Sequence, residues 1–101
     1  MKEVYIIAGP NGSGKTTVAD KLVKYLDLPF VNADEIEKNI SRGKLGSMKI
    51  EAGKIYLRQI NEYIKNNRSF VTETTLSGKN TTIINQLKTS GFTINICYLV
   101  V

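Results

Sequence analysis

Gly9-Pro10-Asn11-Gly12-Ser13-Gly14-Lys15-Thr16 is the stretch on which the reading of this 101-residue chain turns. It matches G-x-x-x-x-G-K-[ST], a glycine-rich loop followed by a lysine and a hydroxyl residue. Glycines let the backbone bend until successive N–H groups converge on one point, where phosphate oxygens can sit. A helix opening directly after the loop adds the positive end of its dipole. Lys15 can then reach the β- and γ-phosphates of a nucleoside triphosphate, and the Thr16 hydroxyl can ligate Mg²⁺. The candidate nucleotide-binding residues are Gly9 to Thr16 together with Thr17. A plain turn between a strand and a helix would have no need of Lys-Thr. The other glycine fingerprint, G-x-G-x-x-G, does not fit glycines at 9, 12 and 14, which disfavours a dinucleotide-binding oxidoreductase.

The flanks agree with the loop. Val4 to Ala8 is a continuous apolar run bounded by Gly9-Pro10, the pattern of a buried strand. Val18, Leu22 and Leu26 then recur every four residues along one helix face that ends near Asp27, with Pro29 as a stop signal. Pro29 to Ala33 reads as a short second strand and Asp34 to Ile40 as a short helix. Arg42 to Ser47, with two glycines, reads as a loop. A long helix is expected from Met48 to Asn66, with Gly53, Leu57, Ile60 and Ile64 as its inner stripe and a close contact or bend at Gly53. Phe70 to Thr74 reads as a third strand. Ser77 can cap a helix running to Ser90, with Ile83, Ile84 and Leu87 inward and Gly91 as its left-handed stop. Thr93 to Val101 reads as a fourth strand.

Strands alternating with helices predict an α/β fold: a mostly parallel sheet of about four strands with helices on both faces, a three-layer sandwich of P-loop NTPase type. Ligands of such sheets bind beyond the carboxyl ends of the strands. Here those ends are Ala8-Gly9, Asn32-Ala33-Asp34 and Glu73-Thr74-Thr75. Asp34 suits helix N-cap and functional acid equally, the latter as acceptor of a proton from an attacking hydroxyl or as a group that helps hold Mg²⁺ through water. Glu73 ends a strand expected beside the phosphate loop, the usual place of an acid that positions Mg²⁺ or substrate. Thr74, Thr75 and Ser77 can bond a substrate hydroxyl or phosphate, or serve only turn chemistry.

Composition narrows the chemistry. The chain has no histidine and one cysteine. Ser-His-Asp and Cys-His sites therefore lack their base, and a zinc site lacks its ligands. Cys97 has no partner for a disulfide and, in an apolar run, is expected to be a buried structural thiol. Fourteen basic and nine acidic residues give a net charge of +5. The lysines form no block and no groove-reading motif accompanies them, so nucleic acid is disfavoured as a partner. The tyrosines are too scattered for a base-stacking platform. Arg58 and Glu62 read as an exposed ion pair on the long helix. No apolar run approaches the length needed to cross a membrane. The first run stops at Gly9, too short for the core of a signal peptide, so a cytoplasmic location is expected.

The segments Gly9 to Thr17, Phe30-Val31-Asn32-Ala33-Asp34-Glu35, Glu51-Ala52-Gly53-Lys54 and Ser69 to Gly78 together resemble the zeta-toxin family of P-loop kinases. The resemblance covers nearly the whole chain. It implies an ATP- or GTP-dependent kinase with Mg²⁺, acting on a small hydroxyl acceptor; for the best-known branch this is the 3′-hydroxyl of UDP-N-acetylglucosamine, and an antitoxin partner holds the enzyme in check. It implies that Lys15 and Thr16 handle phosphate and metal, that Asp34 is the base, and that Glu73, Thr74 and Thr75 lie near the acceptor.

The family continues past the fourth strand into a helical segment with arginines that close over the transferring phosphate. Here no arginine follows Arg68, and the last residues, Ile96 to Val101, are apolar. Residues 1–101 thus read as one incomplete domain, expected to bind nucleotide and to turn it over poorly. The fourth strand is expected at a sheet edge with an uncovered apolar face, and self-association through it is expected. A nucleotide-binding module without catalysis, or a P-loop kinase for another small molecule, are the competing readings.

Overall fold

The computed structural model describes residues 2–10, 12–41, 48–74 and 80–100. The elements follow in the order β1 (Glu3–Ala8), α1 (Lys15–Leu26), β2 (Phe30–Val31), α2 (Ala33–Ile40), α3 (Lys49–Lys65), β3 (Phe70–Thr74), α4 (Asn80–Thr89) and β4 (Thr93–Tyr98). Every strand pairing is parallel and the sheet order is β2-β3-β1-β4. The α/β class and the parallel sheet are as the sequence predicts. β1 lies in the interior of the sheet because Val4, Ile6, Ile7 and Ala8 can be buried on both faces, as their exposures of 4% or less record.

Side chains alternate across the sheet and build two apolar layers. Val4, Ile6, Val31 and Phe70 pack under α3 and α4 with Ile60, Leu87 and Phe92. Ile7 and Val71 pack on the other face against Ala19, Val18, Leu22 and Val23 of α1. The helices therefore cover both faces, and each layer removes aliphatic surface from water on its own side. Tyr63 stacks on Phe70 with ring centroids 5.2 Å apart, and Phe92 meets the same ring edge-on. Lys2 ties the far end of the sheet, its Nζ donating to the Ser90 carbonyl at 2.7 Å. α1 ends at Asp27, whose N–H donates to the Val23 carbonyl from a left-handed conformation.

Several expectations need correction. The inner stripe of α3 is Ala52, Tyr56, Ile60, Tyr63 and Ile64, rotated about one residue from the expected face. Leu57 is 46% exposed. Tyrosine rings occupy the space, and the Tyr56 hydroxyl finds a partner in Thr72, so the larger side chains win the buried face. No atom lies within 4 Å of where a Cβ at Gly53 would stand, so no close contact explains that glycine. Cys97 is exposed rather than buried. β4 is an edge strand paired only to β1, with Ile96 55% and Tyr98 57% exposed, which leaves the thiol at the surface. β2 is shorter than expected, two residues. The loop at 42–47 and the capping role of Ser77 lie outside the described residues. Among the described residues no helix is long and apolar enough to cross a membrane.

Candidate functional site

The phosphate loop joins β1 to α1 at the carboxyl edge of the sheet. Gly9 carries a φ of 152°, and a Cβ there would stand 2.8 Å from the Leu99 carbonyl oxygen and 3.0 Å from Ser13 Oγ. Only glycine lets the loop leave the sheet at that point. Pro10 accepts from the Ser13 backbone N–H at 3.3 Å and from Ser13 Oγ at 2.6 Å, closing a turn. Gly14 then takes the left-handed N-cap position of α1 (φ 88°, ψ 18°). Among the described residues no side-chain cap bond is made at this N-cap, and no acid lies in the first turn. The first-turn N–H groups, which have no partner inside a helix, and the positive dipole end form the arrangement that receives an anion.

Lys15 departs from expectation. The sequence pattern aims its side chain at phosphates, yet here it is largely buried and its Nζ donates to the carbonyls of Gly9 at 2.8 Å and Pro10 at 3.1 Å. A buried ammonium must bond to something, and the loop's own carbonyls are its nearest acceptors.

The two acidic candidates converge on this loop from different elements. Glu73 is the fourth residue of β3, and β3 runs beside β1 in the register Ile7↔Glu73. Its side chain shares the α1 face of the sheet. The Thr16 hydroxyl donates to the carboxylate, 3.2 Å from Oε2 and 3.4 Å from Oε1. Asn32 Nδ2 donates to Oε1 at 3.1 Å. Half-burial pushes the Glu73 carboxyl above the usual carboxylate range, as does the Asp34 charge; the Thr16 bond, the Lys15 charge and the Asn32 bond pull the other way.

Asp34 stands in the first turn of α2, not at its cap. The N-cap is Asn32, whose Oδ1 accepts from the Asp34 backbone N–H at 2.9 Å. The capping role is thus taken by a neighbour, and the Asp34 side chain is left exposed on the cleft. That cleft, about 230 Å³, is lined by Gly12, Gly14, Lys15, Thr16, Thr17, Asp34 and Glu73. A second cleft of about 540 Å³ adjoins it at Thr16 and runs along α2 past Asn32, Glu35, Lys38 and Asn39. Thr74 is not in either. It lies on the opposite face of β3, by a small apolar cleft with Ile6, Tyr56 and Leu87. Asn11 and Thr75 lie outside the described residues.

Behind the site a buried polar chain locks β2 to β3. Thr72 Oγ1 donates to the Val31 carbonyl at 2.8 Å, and the Tyr56 hydroxyl donates to Thr72 Oγ1 at 2.7 Å. Burial pushes the Tyr56 hydroxyl above its ordinary pKa. Sequence alone gives Tyr56 and Thr72 no role, and gives Asn32 only a place at a strand end and in the Phe30 to Glu35 stretch that resembles the zeta toxins. An Asn two residues before an Asp at a helix start is a readable cap signal. The bond from Asn32 to Glu73 has no local signal, because it depends on the pairing of two strands separated by two helices.

A nucleotide and Mg²⁺ fit these residues. The uncapped amino end of α1 suits phosphate. Thr16 and Glu73 offer a hard-oxygen pair of the kind Mg²⁺ takes when it keeps several waters and binds substrate phosphates. Among the described residues no three acidic or other metal-binding side chains gather into a cage of their own.

Comparisons with known proteins agree with the geometry. Cytidylate kinases from several strains of Saccharolobus islandicus are 30% identical over 84 residues, covering 74% of this chain and 44% of theirs. The chain thus spans less than half the length of the curated relatives it matches. A candidate kinase from Chloroflexus aurantiacus j-10-fl superposes with a TM-score of 0.82 at 19% identity, covering 97% of this chain and 59% of that one. Shikimate kinase from Aquifex aeolicus vf5 superposes with a TM-score of 0.55 at 21% identity, covering 92% of this chain and 61% of that one. At these identities the superpositions speak for the fold alone. The family model described as AAA domain (AAA_33) matches residues 4–93, from the central strand to the first residue of β4. On that match the chain belongs to the AAA_33 family of P-loop kinase-like domains.

Proposed function

We propose that this chain is the phosphate-loop portion of a kinase that transfers the γ-phosphoryl group of ATP or GTP to a small hydroxyl acceptor. One observation carries the reading: the cleft beside the phosphate loop brings Lys15 and Thr16 together with two carboxylates from different strand ends, Asp34 and Glu73. A phosphate site needs no acids. A phosphoryl-transfer site needs one to position the metal and one to take a proton.

The loop N–H groups and the amino end of α1 receive the phosphates. Lys15 exchanges its bonds to Gly9 and Pro10 for phosphate oxygens. Thr16 and Glu73 would hold Mg²⁺, which would supply positive charge against the phosphates. Asp34, relieved of capping by Asn32, accepts the proton of the acceptor hydroxyl. The acceptor oxygen forms its bond to the γ-phosphorus as the bond from that phosphorus to the bridging oxygen breaks, and the nucleoside diphosphate leaves.

The resemblance to zeta toxins favours UDP-N-acetylglucosamine as acceptor and an antitoxin as partner. The cytidylate kinase relatives favour a second reading, in which CMP is the acceptor. The test is transfer from γ-labelled ATP with Mg²⁺ to UDP-N-acetylglucosamine, CMP and shikimate in parallel. Label on the sugar nucleotide supports the first reading, and label on CMP the second. Nucleotide binding with no labelled product from any of the three, measured in a protein of the relatives' full length, would remove these acceptors and favour a binding module.

A further inference from the structure

We propose that Asn32 is a positioning residue that sets the distance between the two halves of the site with a single amide. This rests on the kinase reading above. One half is the phosphate side, Thr16 and Glu73. The other is the acceptor side, α2 with Asp34 near its start. The Asn32 side chain is bonded to both. Its Oδ1 accepts from the Asp34 backbone N–H at 2.9 Å, and its Nδ2 donates to Glu73 Oε1 at 3.1 Å.

The orientation of the amide is not free. A backbone N–H can only donate, so the atom facing it must be the oxygen. The nitrogen is then directed at the carboxylate, which can only accept when ionised. Both ends of the amide are matched, and flipping it would break both bonds. Asn32 is also buried, at 9% exposure, so water competes little for either bond.

Register explains why this residue is in place to do it. The β2–β3 ladder has the partners Phe30↔Val71 and Val31↔Thr72. The next step in that register is Asn32 opposite Glu73. There the backbone of β2 turns into α2, and a side-chain bond continues the pairing by one rung. One residue back, Thr72 and Tyr56 hold the same two strands from the other face. The angle at which α2 leaves β2 is therefore fixed against Glu73 on one side and against the Tyr56 chain on the other. Asp34 is carried by that angle.

Asn32→Ser separates the two bonds. Serine caps a helix about as well as asparagine, but its hydroxyl is too short to serve the helix and reach Glu73 together. Two measurements are made on the 101-residue chain. In the first, carbon-13 NMR follows the Glu73 side-chain carboxyl and nitrogen-15 NMR the Asp34 amide, with no ligand added. The expected result is a moved Glu73 carboxyl resonance and an Asp34 amide that remains hydrogen-bonded. The second is transfer from ATP to whichever acceptor the wild type uses. The expected result is a kcat loss on the order of 10–100-fold, as for a misplacement of about 1 Å, with the KM for ATP unchanged. An unmoved Glu73 carboxyl overturns the proposal. So does an unchanged kcat in a chain whose wild type transfers phosphate. If the 101-residue wild type transfers none, transfer is measured in a protein of the relatives' full length, and the NMR result decides the role of Asn32 independently of the kinase reading. Asn32→Thr, which keeps a capping hydroxyl too short to serve the helix and reach Glu73 together, replaces Asn32→Ser if that variant does not fold, with the same outcomes.

Discussion

Lys15 Nζ donates to the Gly9 carbonyl at 2.8 Å, so the cation of the phosphate loop rests on the loop's own backbone. Phosphate must displace that bond and the companion bond to Pro10. The exchange trades neutral acceptors for charged ones, which are the stronger partners. Lys15→Ala should weaken binding of ATP with Mg²⁺ by roughly 10–100-fold, the equivalent of about 1.5–3 kcal/mol for a hydrogen bond to a charged group. Calorimetric titration of both proteins measures it, and equal affinities would remove Lys15 from the site.

Asp34 and Asn32 divide two jobs that one aspartate could have been given. Since Asn32 Oδ1 caps α2, Asp34→Asn should keep the helix and lose only a favourable charge at its amino end, worth about 0.3–1 kcal/mol. ATP affinity should be retained. Phosphoryl transfer should fall by roughly 10²–10⁴-fold, the usual share of a general base. Melting curves, ATP titration and single-turnover transfer check the three parts. Transfer at the wild-type rate would show that another group takes the proton.

The legible parts of the molecule are those set by local pattern. The phosphate loop, α1 behind it and the alternation of strands and helices follow from glycine spacing and apolar runs. The carboxyl-edge rule brings Glu73 and Asp34 to the loop. What local pattern cannot carry is the identity of a neighbour. Ile96-Cys97-Tyr98 has the composition of a buried strand, and only its place at the sheet edge exposes it. Leu57 and Tyr56 are adjacent on one helix, and the partner hydroxyl on Thr72 favours Tyr56 for the buried face. Asn32 announces a cap, while its second bond awaits the pairing of β2 with β3.

The raised pKa of Glu73 has a definite sign in stability. The folded chain holds a proton on this carboxyl more tightly than the unfolded chain does. Its contribution therefore falls as pH rises from the ordinary value of 4.5 through the raised one, and stays low above it. Glu73→Gln should remove this dependence, so wild type and variant should diverge with rising pH in favour of the variant. The variant should also lose the Mg²⁺-dependent part of its ATP affinity. Melting temperatures from pH 4 to 8, with no ligand added, test the first statement. A variant that tracks the wild type across the range would show that Glu73 is solvated like a surface acid.

Thr72 and Tyr56 predict an unequal pair of mutants. Tyr56→Phe removes one donor, and Thr72 keeps its bond to the Val31 carbonyl. The expected cost is about 0.5–1.5 kcal/mol, the net worth of one hydrogen bond. Thr72→Val keeps the shape but strands the buried Tyr56 hydroxyl, at about 1–3 kcal/mol, and also removes the side-chain bond to the Val31 carbonyl, at about 0.5–1.5 kcal/mol, while that carbonyl keeps its place in the β2–β3 ladder. Urea denaturation should rank Thr72→Val as clearly the worse. Equal losses would mean that water already serves one of these groups.

β4 should make the 101-residue chain self-associate. It pairs with β1 on one side only and presents Ile96 and Tyr98, each more than half exposed, beside the exposed Cys97. An edge strand offers unpaired N–H and C=O groups, and natural proteins blunt such edges with charge. No charged residue lies within Thr93–Tyr98. Strand pairing and burial of the two side chains then act together. Sedimentation velocity under reducing conditions should show a sedimentation coefficient that rises with concentration, and Ile96→Lys should abolish the rise by adding charge where a second copy would pack. Cys97 supplies an independent reading. Its thiol should react quickly with an aromatic disulfide reagent in dilute native protein and more slowly as concentration increases, because association covers it. A chain that sediments as a monomer at all concentrations, with a constant thiol rate, would show that the edge is blunted by its twist alone.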